Sequence, residues 1–350
     1  MNLAAQLLTV MLLWSPASAQ VLSPATAPTT SVATTQPTSR PVRPEPQIEH
    51  VLVISVDGLR PDLIFQADAT NIQRLMKRGS FSLWARTTKQ SITLPSHVSM
   101  MTGVVVETHH VTWNGDRPKD APEWPAVRTL FDLAHEAGYS TALVSGKEKF
   151  EVFLKPGVVD ASWLPKKSVT TDDEVIAHAV PVIRDTRPEV MLLHFPGSDS
   201  SGHGKGWSSP EQIAAIKHID DCIGQALDAY RDAGLLDSTL IIVSADHGGT
   251  GRGHGPDDVR SRMIPWIASG PGVRINYDLT RIGKDFDVQT FDTFATACYV
   301  LGLQPDGPID GKPIVQIFQD AELMQSAATP GLSSTQPATT QSTTAPTTAP

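Results

Sequence analysis

Three stretches constrain this chain more than any others: Val51 to Asp57, Val190 to Phe195 running on to Asp199, and Leu240 to Asp246 and His247. Each is an unbroken aliphatic run, bounded by Gly or Pro, that delivers an aspartate. Runs without alternation are the pattern of strands covered on both faces of a parallel sheet. In such sheets ligands and catalytic groups gather beyond the carboxyl ends of the strands. Asp57, Asp199 and Asp246 are therefore expected in one crevice, with His203, His247 and His254 close behind them in sequence. Six hard or borderline donors in one place suit two divalent metal ions.

Both ends of the 350-residue chain differ from its middle. Residues 1–19 carry an apolar run from Leu3 to Trp14 and then Ala17-Ser18-Ala19, the form of a secretory signal cleaved before Gln20. The run is shorter than the about 20 residues a membrane span needs. The expected location is periplasmic or secreted, with no transmembrane anchor after cleavage. Residues 20–47 and 323–350 are rich in Pro, Thr, Ser and Ala and have too little large apolar surface to offset the entropy of folding, so they read as a disordered linker and tail. What remains, residues 48–322, suits a single α/β catalytic domain. The net charge is −9 with Lys and Arg dispersed, which argues against a nucleic-acid duplex as partner. Cys222 and Cys298 lack the spacing of a zinc thiolate site and read as two buried thiols in helices, with one disulfide between them as the alternative.

Between the runs, helical patterns alternate with strand patterns, which predicts a doubly wound, mostly parallel sheet flanked by helices. Asn71–Arg78 reads as a helix ending at Gly79, and Val127–Ala137 as another ending at Gly138, followed by a strand over Tyr139–Ser145. Thr171-Asp172-Asp173-Glu174 has capping-box spacing and opens a helix to about Arg184, with Pro181 as a kink point. Ser209-Pro210-Glu211-Gln212 opens the clearest helix, with Ile213, Ile216, Ile223 and Leu227 on its core face and Gly234 beyond its end. Ser91 to His97 reads as a turn entering a helix, with Thr93 near its N-terminus. An anionic group there would meet free backbone donors and the positive end of the helix dipole.

The connections carry the chemistry. Asp57-Gly58 alone is turn chemistry. Asp199 and His203 stand four apart in what reads as a Gly-rich loop, and Asp246-His247-Gly248 is followed by His254-Gly255. Asn114 before Gly115 reads as a turn residue, and Lys147 and Lys149 after a strand as a solvated pair.

In order, Asp57, Thr93-Leu94-Pro95-Ser96-His97, Asn114, Asp199-x-x-x-His203, Asp246-His247-Gly248 and His254 resemble the alkaline phosphatase superfamily, in its type I phosphodiesterase/nucleotide pyrophosphatase branch. The resemblance covers nearly all of residues 48–312. It implies an alkaline phosphatase-like fold and a metal held by Asp57, Asp246, His247 and the Thr93 oxygen. A second would be held by Asp199, His203 and His254, Zn²⁺ being the expected ion. It also implies two displacements through a phosphothreonine. Asn114 would then donate to a phosphoryl oxygen. Lys147 and Lys149 resemble the pair by which threonine-type phosphomonoesterases and phosphonoacetate hydrolase grip a terminal phosphoryl or phosphonate group. Thr93 cannot become formylglycine, which disfavours sulfatase chemistry. The expected partner is a small phosphorylated molecule: monoester, diester or nucleotide. A phosphonate hydrolase and a catalytically silent metal-binding surface module are the alternatives. Segments 103–125, 146–170 and 200–210 are expected to shape the pocket. His97 and His109 read as structural. His50, His110, His135, His178, His194 and His218 show no convergent partner, and Arg60 reads as a surface ion pair.

Overall fold

The computed structural model describes residues 40–283 and 285–319. The expected signal, the linker up to residue 39 and the tail 323–350 lie outside the described residues. The last stretch of the expected linker, residues 40–47, runs against the domain: Arg40 donates to the Gly138 carbonyl, pairs with Glu189 and lies over the Tyr139 ring. That ion pair and ring contact anchor a segment whose composition alone reads as solvated.

Eight strands form one sheet: β1 (His50–Val56), β2 (Ser80–Arg86), β3 (Thr141–Ser145), β4 (Ala161–Trp163), β5 (Val190–Phe195), β6 (Thr239–Ser244), β7 (Met263–Ser269) and β8 (Tyr277–Asp278). Their order is β4-β3-β5-β1-β6-β7-β2-β8, and only β7 runs against the others. The fold is thus α/β with a mostly parallel sheet. Every residue of β1, β3, β5 and β6 is buried, as their unbroken apolar sequences require. Ser55 lies in register with both His194 and Ser244, so β5, β1 and β6 end together and the chain beyond each reaches the same rim.

The helices are α1 (Pro61–Gln66), α2 (Thr70–Arg78), α3 (Thr93–Thr102), α4 (Val106–His109), α5 (Leu130–Glu136), α6 (Asp172–Thr186), α7 (Gly197–Lys205), α8 (Pro210–Asp232), α9 (Val259–Arg262) and α10 (Asp292–Leu301). Helix α5 starts later than its apolar spacing predicts, because Thr129 and Asp132 form a reciprocal capping box that fixes the first turn. Helix α6 continues through Pro181 and ends at Arg187 in the left-handed region. Helix α8 has the expected Ser209 cap, whose hydroxyl accepts from Gln212 N. Cys222 and Cys298 are buried free thiols on α8 and α10.

One expectation fails here. Asp199 to His203 is not a loop but the body of α7. Two of its glycines serve packing: a Cβ at Gly202 would meet the Trp207 ring at 2.8 Å, and one at Gly197 would collide with the Asp172 carboxylate. The Gly197 N–H at its start donates to Asp172 Oδ1. No helix among the described residues is long and apolar enough to cross a membrane.

Candidate active site

Beyond β1, Gly58 turns the chain at φ +73°, and its N–H donates to Asp246 Oδ1 at 3.1 Å, which ties the first connection to the third. A side chain there would press on the Asp199 backbone at 3.1 Å. In α7 the helical repeat sets His203 Nε2 3.2 Å from Asp199 Oδ1. Beyond β6, Asp246 and His247 are both fully buried. His254 returns to stack on His247 with ring centroids 3.7 Å apart. Thr93 is the first residue of α3 and is buried, with Oγ1 3.4 Å from His247 Nε2. The structure therefore brings all seven expected metal-binding residues to one place.

Two observations test whether these residues fit metal ions. First, Asp57 Oδ1, Asp199 Oδ1 and Asp246 Oδ2 are buried oxygens with no hydrogen-bond partner among the described residues. They lie 3.4, 3.9 and 3.2 Å from His247 Nε2. Second, His203, His247 and His254 each place Nδ1 against a backbone carbonyl, of Arg252, Gly248 and Ser91. A carbonyl only accepts, so Nδ1 carries the proton and Nε2 turns its lone pair inward, the tautomer of a metal ligand. The donors group as Asp57, Asp246 and His247 and as Asp199, His247 and His254, each set within 4.8 Å. The second set has His247 where the sequence led to His203, which sits half-exposed at the rim beside Asp199. The fit to divalent ions is good.

Charge balance in the crevice depends on Lys147. Its ammonium is buried, 2.6 Å from Asp57 Oδ2 and 2.7 Å from Asp199 Oδ2. Burial would push Asp57 up, but Lys147 and the hydrogen bond from His194 hold it well below the usual carboxylate range. Asp199 is pushed up by burial and by Asp57, yet the close contact with His203, and then Lys147 and His247, bring it down to about 2. Asp246, driven by burial and then by Asp57, goes the other way and is raised well above the ordinary value. One ammonium does not neutralise three carboxylates, so without further positive charge the third is held toward its protonated form. Burial and the neighbouring His254 lower His247 to about 4, which keeps it a neutral donor.

The two lysines do not act side by side. Lys149 is bonded instead to the Asn114 backbone carbonyl and, at 3.1 Å, to Asn114 Oδ1. Asn114 Oδ1 also accepts from Leu94 N at 2.9 Å, so Asn114 is fixed over the first turn of α3 with its amide N–H group left to donate. An open cavity of about 740 Å³ adjoins Asn114 and Lys149 and includes Trp113, Arg117, Trp124 and Glu148 in its walls. These come from two of the three segments expected to shape the pocket.

Sequence reasoning missed His194. It is buried in β5, accepts from Ser145 Oγ at Nδ1 and donates from Nε2 to Asp57 Oδ2 at 3.0 Å. The available signal was an imidazole inside an otherwise apolar strand, which must find a polar partner. His97 bridges Ser55 Oγ and the Thr93 carbonyl, and His109 bridges Ser99 Oγ and Val111 N, both in structural roles. Arg60 pairs with Asp62 and also donates to the Gly249 carbonyl, bracing the third connection.

The sequence profile of the type I phosphodiesterase/nucleotide pyrophosphatase family matches residues 51–261, more than half of the chain. An uncharacterized pyrophosphatase/phosphodiesterase of Schizosaccharomyces pombe is 24% identical over 215 residues, covering 57% of this chain and 44% of that one. Ectonucleotide pyrophosphatase/phosphodiesterase family member 1 of Homo sapiens is 26% identical over 222 residues, covering 56% and 23%. The chain thus spans less than half the length of these curated relatives. Among solved structures, an inactive variant of murine ectonucleotide pyrophosphatase/phosphodiesterase 5 in complex with AMP superposes with a TM-score of 0.64 at 15% identity, over 75% of this chain and 97% of that one.

Proposed function

This chain belongs to the type I phosphodiesterase/nucleotide pyrophosphatase family, and from that premise we propose that it is a two-metal phosphoesterase with Thr93 as nucleophile. The observation that carries the reading is the placement of Thr93 Oγ1 at the N-terminus of α3, 3.4 Å from His247 Nε2, beside three buried carboxylate oxygens without hydrogen-bond partners. Asp57, Asp246 and His247 would hold one ion, and Asp199 and His254, with His203 or His247, the other. The mixed O and N donor set suits Zn²⁺. Such a pair of ions supplies Lewis acidity to the attacking and leaving oxygens of an in-line displacement.

The chain's own groups do the rest. Thr93 Oγ1, having given up its proton, would attack phosphorus and displace the ester oxygen, which leaves as the alcohol or nucleoside with a proton; water would then cleave the phosphothreonine, releasing phosphate and restoring the threonine hydroxyl. The Asn114 amide N–H group would face the phosphoryl oxygens, with the positive end of the α3 dipole beside it, since Leu94 N is already held by Asn114 Oδ1 and Pro95 has no N–H. His97, bonded to the Thr93 carbonyl, and Asp57, held by His194, keep the nucleophile and its surroundings in place. Lys149 adds positive charge beside Asn114, which supports a terminal phosphoryl group, a dianion, as the preferred substrate. The tryptophans of the adjoining cavity supply flat apolar walls for an aromatic or nucleoside leaving group. The relatives' names and the AMP bound to the similar structure support a nucleotide. The Leu3–Trp14 run supports export to the periplasm or outside the cell.

The test is kcat/KM of the zinc-loaded protein on 4-nitrophenyl phosphate and bis-4-nitrophenyl phosphate side by side. A monoester preference that falls in Lys149→Ala is expected. A diester preference indifferent to Lys149 would assign the protein to phosphodiester cleavage and remove Lys149 from substrate binding.

A further inference from the structure

Asp173, His218 and Cys222 lie on the helical layer, apart from the rim. His218 and Cys222 are one turn apart on α8, and Asp173 is in the first turn of α6. His218 Nε2 is 3.0 Å from Asp173 Oδ1 and 3.8 Å from Cys222 Sγ, and one donor atom from each residue falls within 4.8 Å of the other two. Around a tetrahedral ion with bonds of about 2.0 Å to nitrogen or oxygen and 2.3 Å to sulfur, neighbouring donors stand about 3.3–3.5 Å apart. The observed separations bracket those values, so small side-chain rotations close the site. Asp173 and His218 are exposed while Cys222 is buried, so an ion could enter from solvent and be held from below.

We propose that these three residues form a third divalent-metal site, of the zinc type, that clamps the start of α6 to α8 and leaves a fourth position to water. Thiolate, imidazole and carboxylate are the borderline-soft donors that Zn²⁺ accepts. The clamp would also steady Asp172, the neighbour of Asp173, whose carboxylate receives the Gly197 N–H at the start of α7. The proposal stands independently of the catalytic reading, because it uses none of the same residues.

The donor chemistry provides the test. The expected catalytic ligands are all nitrogen or oxygen, so a sulfur-to-metal charge-transfer band in the Co²⁺-loaded protein can only come from a cysteine. The expected result is a near-ultraviolet band in the full chain and in Cys298→Ser, lost in Cys222→Ser and in His218→Gln, with one fewer bound ion per chain in each of the latter two. His218→Gln changes an exposed side chain and keeps the test usable if Cys222→Ser does not fold. A wild-type protein with no such band, or a band that survives in Cys222→Ser, would overturn the proposal. Loss of Co²⁺ at the crevice with the thiolate band retained would instead count against the two-metal reading of the active site.

Discussion

At the rim of β1, β5 and β6, Asp57, Asp199 and Asp246 each keep one buried carboxylate oxygen without a hydrogen-bond partner. In the helical layer, Asp220 and Asp292 are equally buried, but both oxygens of each are taken by backbone N–H groups. Those donors are Asn71 and Ile72 for Asp220, and Gln289 and Lys312 for Asp292. A buried carboxylate whose task is structural is satisfied by amides, since an unpaired one costs several kcal/mol. Three unsatisfied ones within reach of inward-facing imidazoles are the arrangement that the proposed metal ions would complete. The difference separates the part of the fold arranged for chemistry from the part arranged for stability.

The comparison is broken most directly at the nucleophile. Thr93→Ala should lower kcat by on the order of 10³-fold or more, as loss of a nucleophile does elsewhere, while bound metal measured by elemental analysis stays close to wild type. Near-normal turnover would mean that the open carboxylates serve some other group.

Lys147 gives the next largest effect. Lys147→Met leaves Asp57 and Asp199 buried without their ammonium, and breaking a buried ion pair from one side costs about 3–5 kcal/mol. In chelator-treated protein the urea midpoint should fall by an amount corresponding to that range. In metal-loaded protein it should fall less, because the same carboxylates are then compensated. Equal losses in both states would show that Lys147 acts by packing and that the rim carboxylates do not hold ions.

Asp220→Ala tests the other side. The substitution strips the backbone N–H groups of Asn71 and Ile72 of their acceptor, at the start of a helix whose own N-cap, Ala69, offers none, while the Asn71 amide keeps the Asp220 carbonyl. A loss of about 2–4 kcal/mol in urea unfolding is expected, with kcat of the folded fraction and metal content unchanged. A change in metal content would dissolve the distinction between the two groups of aspartates.

These effects were unequally visible in the sequence. The rim was legible because fully buried strands are written as unbroken aliphatic runs, and an aspartate at the end of such a run has few ordinary uses. Helix α7 was not, since Gly197, Gly202, Gly204 and three serines have loop composition. They form a helix because Gly202 fits the Trp207 ring and Asp172 receives the first N–H. His194 and Lys147 were misjudged for one reason: side chains that usually seek water are here drawn inward by Asp57, a partner that adjoins them only once β1, β3 and β5 pair. The Asp173–His218–Cys222 cluster escaped notice because its third residue lies on another helix, so no spacing rule applies.

The smallest effect is a pH dependence at Asp292. Burial raises its carboxyl from 3.8 to about 6, although the Gln289 and Lys312 N–H groups pull it down. The folded chain therefore binds this proton more tightly than the unfolded chain. Its contribution to stability is fully present below 3.8, declines as pH rises and is gone above about 6. Asn in its place has no proton to lose, so the stability of Asp292→Asn relative to wild type should rise between pH 4 and pH 7 and then level off. Reading the difference between the two proteins in urea titrations cancels the pH dependence of metal binding, which both share. A flat difference would show that the amide bonds outweigh burial and that Asp292 stays ionised throughout. In either event activity should not follow, because nothing joins Asp292 to the open carboxylates of the rim.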